Sequence, residues 1–292
     1  MSPTWTAPTP PDPVVIGPLG WLRVVLRGGA LLLLIAICLL VLLLIRLIER
    51  PVFGMARPIT PHIVQFVCRN AFRILGMGYT VHGRPIHGPG AVVANHTSWL
   101  DIFTLNARKR IYFVSKSEVA GWPGIGILAR ATGTLFIDRD RRQARAQTRA
   151  FVERLHAGHK LLFFPEGTST DGLRVLPFKS TLFGAFFAAP LRETLTVQPV
   201  SVIYHAPPGE PARFYGWWGD MEFGEHLLKT LAAPRHGAVE LVYHQPLKVS
   251  DFENRKALAA HAEALVRAGL EAYLPEAALA AGEDRDRRGA SV

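Results

Sequence analysis

AVVANHTSWLD, residues 91–101, decides the reading of this chain. Ala91 to Ala94 form a short apolar run of strand character. Asn95, His96, Thr97 and Ser98 follow without a spacer, and a helical pattern occupies about residues 98–107. The same change of period recurs along the chain. IYFV at 111–114, LFI at 135–137, LLFF at 161–164, TVQPVSVI at 196–203 and VELVY at 239–243 read as strands. Helices are expected near 123–131, 140–157 and 180–189. A last helix is expected to run to about Leu274, opened by a capping box of Ser250 and Glu253. Such alternation predicts an α/β domain with a mixed, largely parallel sheet flanked by helices.

Outward from this domain the chain changes character. GGALLLLIAICLLVLLLI, residues 28–45, holds no charge and lies between Arg27 and Arg46. Eighteen residues make roughly 27 Å of helix, close to the hydrocarbon thickness of a bilayer. RLIERPVFGMAR after it offers no small-residue cleavage site, which argues against a signal peptide. The pattern fits a transmembrane span and a re-entrant hairpin equally well. Residues 62–76, HIVQFVCRNAFRILG, carry a broad apolar face and a stripe of Gln65, Arg69 and Arg73. That pattern suits a helix at a membrane interface or one packed on the globular domain. The opening MSPTWTAPTPPDP reads as a disordered tail, and residues 276–292 as a solvated one.

Of the 292 residues, 33 are Lys or Arg and 23 Asp or Glu, giving a formal net charge of +10. The charge is segregated. Residues 1–160 hold 20 basic and 7 acidic side chains, net +13, and the remainder carries −3. The basic residues border membrane-type segments and lack interleaved stacking aromatics, which points to anionic lipid and not to nucleic acid. Arg23 and Arg27 precede the apolar run, whereas Arg46, Arg50, Arg57, Arg69 and Arg73 follow it. For a span, this places the bulk of the chain on the cytoplasmic face of the inner membrane. Two cysteines, Cys38 and Cys68, exclude a disulfide scaffold.

Four blocks at strand ends carry the chemistry, where α/β sheets collect functional groups. In NHTSWLD, His96 and Asp101 are five residues apart, about 140° around a continuous helix, and would not face each other. With His96 on the turn and Asp101 in the first helical turns, the carboxylate folds back onto the imidazole and fixes its tautomer. GTLFIDR, residues 133–139, ends a strand with Asp138 and Arg139, a guanidinium placed to clamp an anion. FPEGTSTDG, residues 164–172, sets Glu166 between Pro165 and Gly167, with Thr168, Ser169 and Thr170 as hydroxyl donors. VQPVSV, residues 197–202, places Pro199 in a strand, which predicts an edge or bulge position.

Together the blocks resemble the glycerolipid acyltransferase family typified by 1-acylglycerol-3-phosphate acyltransferases. The resemblance covers about residues 79–205 and rests on Asn-His-x4-Asp, Gly-x-x-Phe-Ile-x-Arg, Phe-Pro-Glu-Gly-Thr and the proline-bearing strand. With the composition on either side, the chain is expected to divide into a tail (1–22), membrane-associated helices (23–78), an acyltransferase domain (79–275) and a C-terminal tail (276–292). The resemblance implies transfer of a fatty acyl group to a lipid hydroxyl, with acyl carrier protein or coenzyme A thioester as co-substrate and no metal or bound cofactor. In the roles it implies, His96 is general base and Asp101 its orienting partner. Phe136, Arg139, Glu166, Gly167 and Thr168 form the acceptor site, and Pro199 helps shape the acyl site.

One position departs from the pattern. Many phosphate-acceptor members continue the third block with Arg where this chain has Ser169. Lys116, Arg174 or Lys179 are the candidates to replace that guanidinium. EGTSTDGLRVLPFKSTLF is more similar to members that acylate lyso-ornithine lipid, whose acceptor has no phosphate. Lysophosphatidate is the first expectation for the acceptor and lyso-ornithine lipid the alternative. A lipid hydrolase using Ser98 is a rival, although no G-x-S-x-G elbow occurs in the chain. A non-catalytic membrane-binding protein is the other.

Overall fold

Strand β2, Gly90–Ala94, is buried at every position because the sheet is covered on both faces. Its side chains alternate between two cores. Ala91 and Val93 join one, Val92 and Ala94 the other. The computed structural model describes residues 4–7, 9–137, 144–189 and 191–274. Within them lie α1 (Pro18–Phe53), α2 (Thr60–Leu75), β1 (Gly78–His82), β2, α3 (Asp101–Arg108), β3 (Tyr112–Lys116), α4 (Ile125–Thr132) and β4 (Leu135–Ile137). After them come α5 (Ala144–His156), β5 (Lys160–Phe163), α6 (Leu191–Thr194), β6 (Thr196–His205), α7 (Phe223–Ala232), β7 (Ala238–Tyr243), β8 (Leu247–Lys248) and α8 (Arg255–Tyr273).

The sheet runs β1-β7-β6-β2-β5-β3-β4, with β8 also paired to β6. β7 and β8 are antiparallel to β6, and the other pairings are parallel. The mixed, largely parallel α/β class is therefore the observed one. One face is covered by α5, α8 and a 3-10 helix at Ser180–Phe187, through Phe151, Phe183, Phe186, Leu258 and Val266. The other is covered by α2, α3 and α7, through Phe72, Leu105 and Leu231.

Several elements differ from expectation for local reasons. The helix expected at 180–189 is a 3-10 helix, whose three-residue turn lets Phe183 and Phe186 enter the same core. Asn254, not a Ser250–Glu253 box, caps α8, accepting from the amides of Lys256 and Ala257 at 2.9 and 3.1 Å. Pro199 lies in a central strand and not at an edge. Its missing N–H falls where the antiparallel partner of β6 changes from β8 at 196–197 to β7 at 200–205, so no ladder bond is lost. β1, β8 and α7 were not anticipated.

α1 has 36 residues, about 54 Å of helix, and begins inside the stretch expected to be a tail. It is long and apolar enough to cross a membrane, and most of its apolar side chains face outward. Yet it touches the domain near both ends. Arg23 and Arg27 donate to the carbonyls of Ala232 and Leu231, at 3.3 and 3.0 Å, at the C-terminus of α7. Near the other end the buried Glu49 accepts from the amides of Ile59 and Thr60 and from the Thr60 hydroxyl, capping α2. The basic stripe on α2 has a structural use as well. Gln65 and Arg69 both donate to Ala107 O at the end of α3, while Cys68, Phe72 and Leu75 pack on the core.

Candidate active site

Asn95 fixes the start of the turn. Its side chain donates to Val202 O at 2.9 Å and accepts from Val202 N at 2.8 Å, extending the β2–β6 ladder by one step. His96 then leaves the sheet, and Asp101 folds back from the first turn of α3. The carboxylate Oδ2 lies 2.7 Å from His96 Nδ1 and also accepts from the amides of Thr97 and Ser98 at 2.8 and 3.1 Å. Asp101 is fully buried, whereas the His96 side chain keeps 22% exposure. A carboxylate only accepts, so the proton sits on Nδ1 and the lone pair of Nε2 is available as a base. The imidazole lies flat on Phe164, ring centres 3.9 Å apart and 9° from parallel, which fixes its plane.

Tyr204 completes the arrangement and was missed, because the expected strand stopped at Ile203. Its hydroxyl donates to the other Asp101 oxygen at 2.8 Å and lies 2.8 Å from Thr104 Oγ1. Burial, then the Asp101 charge, raise the Tyr204 hydroxyl well above its ordinary value, so it remains a donor. The signal was available in the strand alternation, which puts Tyr204 on the face of Val200 and Val202 toward α3.

Glu166 occupies a different place from the acceptor-facing one expected of it. Its oxygens accept from His96 N at 2.7 Å and Leu176 N at 2.9 Å, and the residue is 1% exposed. Burial pushes the carboxyl up to about 8, with the two amides acting in the opposite direction. Glu166 is thus a clamp between the first and third blocks. Thr170 N adds a second tie by donating to His96 O at 2.9 Å. Gly167 has φ +74, a left-handed conformation that explains the glycine after Glu166.

The other expected residues are only partly brought together. The Thr168 hydroxyl accepts from Trp5 N at 3.3 Å. Lys116 ends β3 at the same carboxyl edge of the sheet as His96. Arg174 is engaged by the buried Asp171, through Nε at 3.1 Å and Nη2 at 3.0 Å, and lies over the Trp5 ring. The Lys179 amide donates to Pro165 O at 2.9 Å. Phe136 is on β4, three strands from β2 and therefore about 14 Å away. Pro199 is buried inside β6. Asp138 and Arg139 lie outside the described residues.

Two covering segments escaped the sequence reading. The loop at 206–222 rests on both blocks: Trp217 N donates to Thr97 O at 2.9 Å, and Gly216 packs on the Asp171 backbone too closely for a side chain. The N-terminal stretch, expected to be disordered, crosses the same region. Arg213 pairs with Asp12 at 2.7 Å and donates to Thr9 Oγ1, and Trp5 meets Trp218 edge-on. Ser98 is fully buried, with its hydroxyl turned to Leu100 N. It has no access to an ester, which removes the hydrolase nucleophile.

The geometry is that of a base held in one tautomer beside a site covered by aromatic residues. Comparison with known proteins then decides the family. The family model described as "Acyltransferase" matches residues 78–203. A lyso-ornithine lipid O-acyltransferase of Rhodobacter capsulatus is 57% identical over 270 residues, covering 92% of this chain and 97% of that protein. This chain belongs to the acyltransferase family. A 1-acyl-sn-glycerol-3-phosphate acyltransferase of Neisseria gonorrhoeae is 42% identical to this acyltransferase over 119 residues, 39% of this chain and 46% of the relative. The crystal structure of the 1-acyl-sn-glycerophosphate acyltransferase of Thermotoga maritima superposes with a TM-score of 0.54. It covers 73% of this chain and 78% of its own at 24% identity, which shows the shared fold. The acyltransferase is a lysolipid O-acyltransferase carrying an N-terminal membrane-associating helix.

Proposed function

We propose that the acceptor is lyso-ornithine lipid and that the donor is a fatty acyl thioester of acyl carrier protein or coenzyme A. The observation that carries this reading is the 57% identity to a lyso-ornithine lipid O-acyltransferase over nearly the full length of both proteins. It reverses the order of the two acceptors expected from the motifs. Ser169 supports it, since no guanidinium stands there to meet a phosphomonoester. The engagement of Arg174 with Asp171 supports it too, because that guanidinium already has a buried carboxylate.

In this reading His96 Nε2 removes the proton from the acceptor hydroxyl as its oxygen attacks the thioester carbonyl. The new C–O bond forms, the C–S bond breaks, and the imidazolium returns the proton to the departing thiolate. Asp101 stabilises the imidazolium, and no acyl-enzyme is needed. The apolar helix and the excess of arginines after it support attachment to the inner membrane with the domain facing the cytoplasm.

The test is an assay of purified full-length enzyme with acyl carrier protein and coenzyme A thioesters, offered lyso-ornithine lipid and lysophosphatidate separately. Turnover of lyso-ornithine lipid at least tenfold above lysophosphatidate is expected. Use of lysophosphatidate alone overturns the acceptor assignment. His96→Ala is expected to lower kcat by several orders of magnitude with either thioester, and retained activity overturns the base assignment.

A further inference from the structure

The amino edge of the sheet, opposite His96, carries a second concentration of charge. Where the end of α1 meets α2, α4 and α5 there is a groove of about 640 Å³. Leu43 and Leu47 line one side, and Arg50, Arg57, Arg130 and Arg154 line the others. Among the described residues none of these four arginines has a carboxylate within ion-pair distance, whereas a fifth lining arginine, Arg46, pairs with Glu49 at 3.0 Å. Three of them rely on the chain's own carbonyls. Arg57 donates to Ala131 O at 2.9 Å, Arg154 to Gly133 O, and Arg130 to Ala120 O at 2.6 Å.

Arg57 and Arg154 are half-buried, and the buried Arg154 Nε has no hydrogen-bond partner. Burial first, then neighbouring guanidiniums (Arg46 for Arg57, Arg57 for Arg154), draw both below the ordinary arginine value. Glu49, paired with Arg46, is the one carboxylate whose charge is felt at Arg57, so guanidiniums outnumber it in the groove. Like charges drawn out of water in excess of their counter-charge are costly, and an anion between them offsets that cost. The groove continues past Arg57 into a smaller pocket lined by Lys109, Arg110, His159 and Lys160. There, too, no carboxylate pairs with the cations among the described residues.

The position and the wall chemistry select the ligand. Lys160 opens β5 and pairs in register with Gly90, at the far end of β2 from His96, roughly 15 Å along the strand. A thioester donor must deliver its carbonyl to His96 at the other edge. A soluble anion gives no use for Leu43 and Leu47, which belong to the outward apolar face of α1. We propose that this groove binds an anionic membrane phospholipid, its phosphate among Arg50, Arg57, Arg130 and Arg154 and one acyl chain along Leu43 and Leu47. The site is separate from the acceptor site and does not depend on which lysolipid is acylated. It joins α1, α4 and α5 through one lipid molecule.

The experiment uses the full-length protein in phosphatidylcholine nanodiscs with and without one-fifth phosphatidylglycerol. Melting temperature and co-purified lipid by native mass spectrometry are the readouts. Phosphatidylglycerol is expected to raise the melting temperature by roughly 5 °C and to remain bound at one molecule per chain. Arg57→Gln with Arg154→Gln is expected to abolish both effects. Arg50→Gln with Arg130→Gln, two exposed positions, serves if the first pair fails to fold, with an expected loss of about tenfold in retained lipid. Equal responses of wild type and variants overturn the site. A full response to 10 mM inorganic phosphate in pure phosphatidylcholine overturns the lipid as its occupant.

Discussion

Asp101 receives four donors on two oxygens, from Thr97 N, Ser98 N, His96 Nδ1 and the Tyr204 hydroxyl. Tyr204 therefore acts on the base through Asp101. Tyr204→Phe removes one of those donors without changing shape, so kcat is expected to fall about tenfold while KM for the acceptor holds. The carboxylate left with fewer donors stabilises an imidazolium more strongly, so the acid limb of kcat/KM should move to higher pH. A parallel fall in kcat and melting temperature with no movement of the limb would reduce Tyr204 to packing. Glu166→Gln is a second test, because an NH2 group would then face one of two inward amides. Loss of about 2 kcal/mol by denaturant titration is expected. His96 and Asp101 were legible because their spacing is short and local. The clamping role of Glu166 and the part played by Tyr204 were not: their partners lie 70 and 103 residues away, and such bonds leave no periodic trace.

At the scale of elements, the strands were read well because each is a dense apolar run bounded by turns. β1 and β8 escaped because GYTVH and LK are too short or too polar to stand out, and acquire strand form only by pairing. The apolar α1 was plain, but nothing in its composition told that one buried acid organises its junction with α2. In Glu49→Gln the amide oxygen keeps the Ile59 and Thr60 amides, but the NH2 group then faces the Arg46 guanidinium where a carboxylate oxygen had accepted from it. The substitution is expected to destabilise the protein by about 2–3 kcal/mol and to open residues 54–60 to limited proteolysis. A melting temperature equal to wild type in the same detergent would contradict this account of the junction.

Across the whole molecule, two buried imidazoles and the half-buried one of His236 contribute a common response to acid. Burial, as the largest cause, lowers His159, His226 and His236 to about 4. The unfolded chain takes up these protons near 6.5 and the folded one only near 4. Stability from these groups is therefore complete above about pH 6.5 and lost as pH falls toward 4. Melting temperature should drop steeply across that window. His226→Gln, which keeps an acceptor for Trp99 Nε1, should flatten the slope; an unchanged slope would remove His226 from the account. The segregated charge makes a separate prediction. Binding to phosphatidylglycerol vesicles should weaken markedly from 50 to 500 mM salt, while binding through α1 alone would be indifferent to it.

The register of β1 has a consequence for biosynthesis. Gly78 is paired with Ala238, so the first strand waits for 160 further residues before its neighbour exists. Arg27 likewise waits 204 residues for the carbonyl it meets at Leu231. The apolar helix leaves the ribosome long before either partner. Insertion of this helix as it emerges would tether the nascent chain to the bilayer while most of its sheet is still unmade, so that folding would finish at the membrane surface.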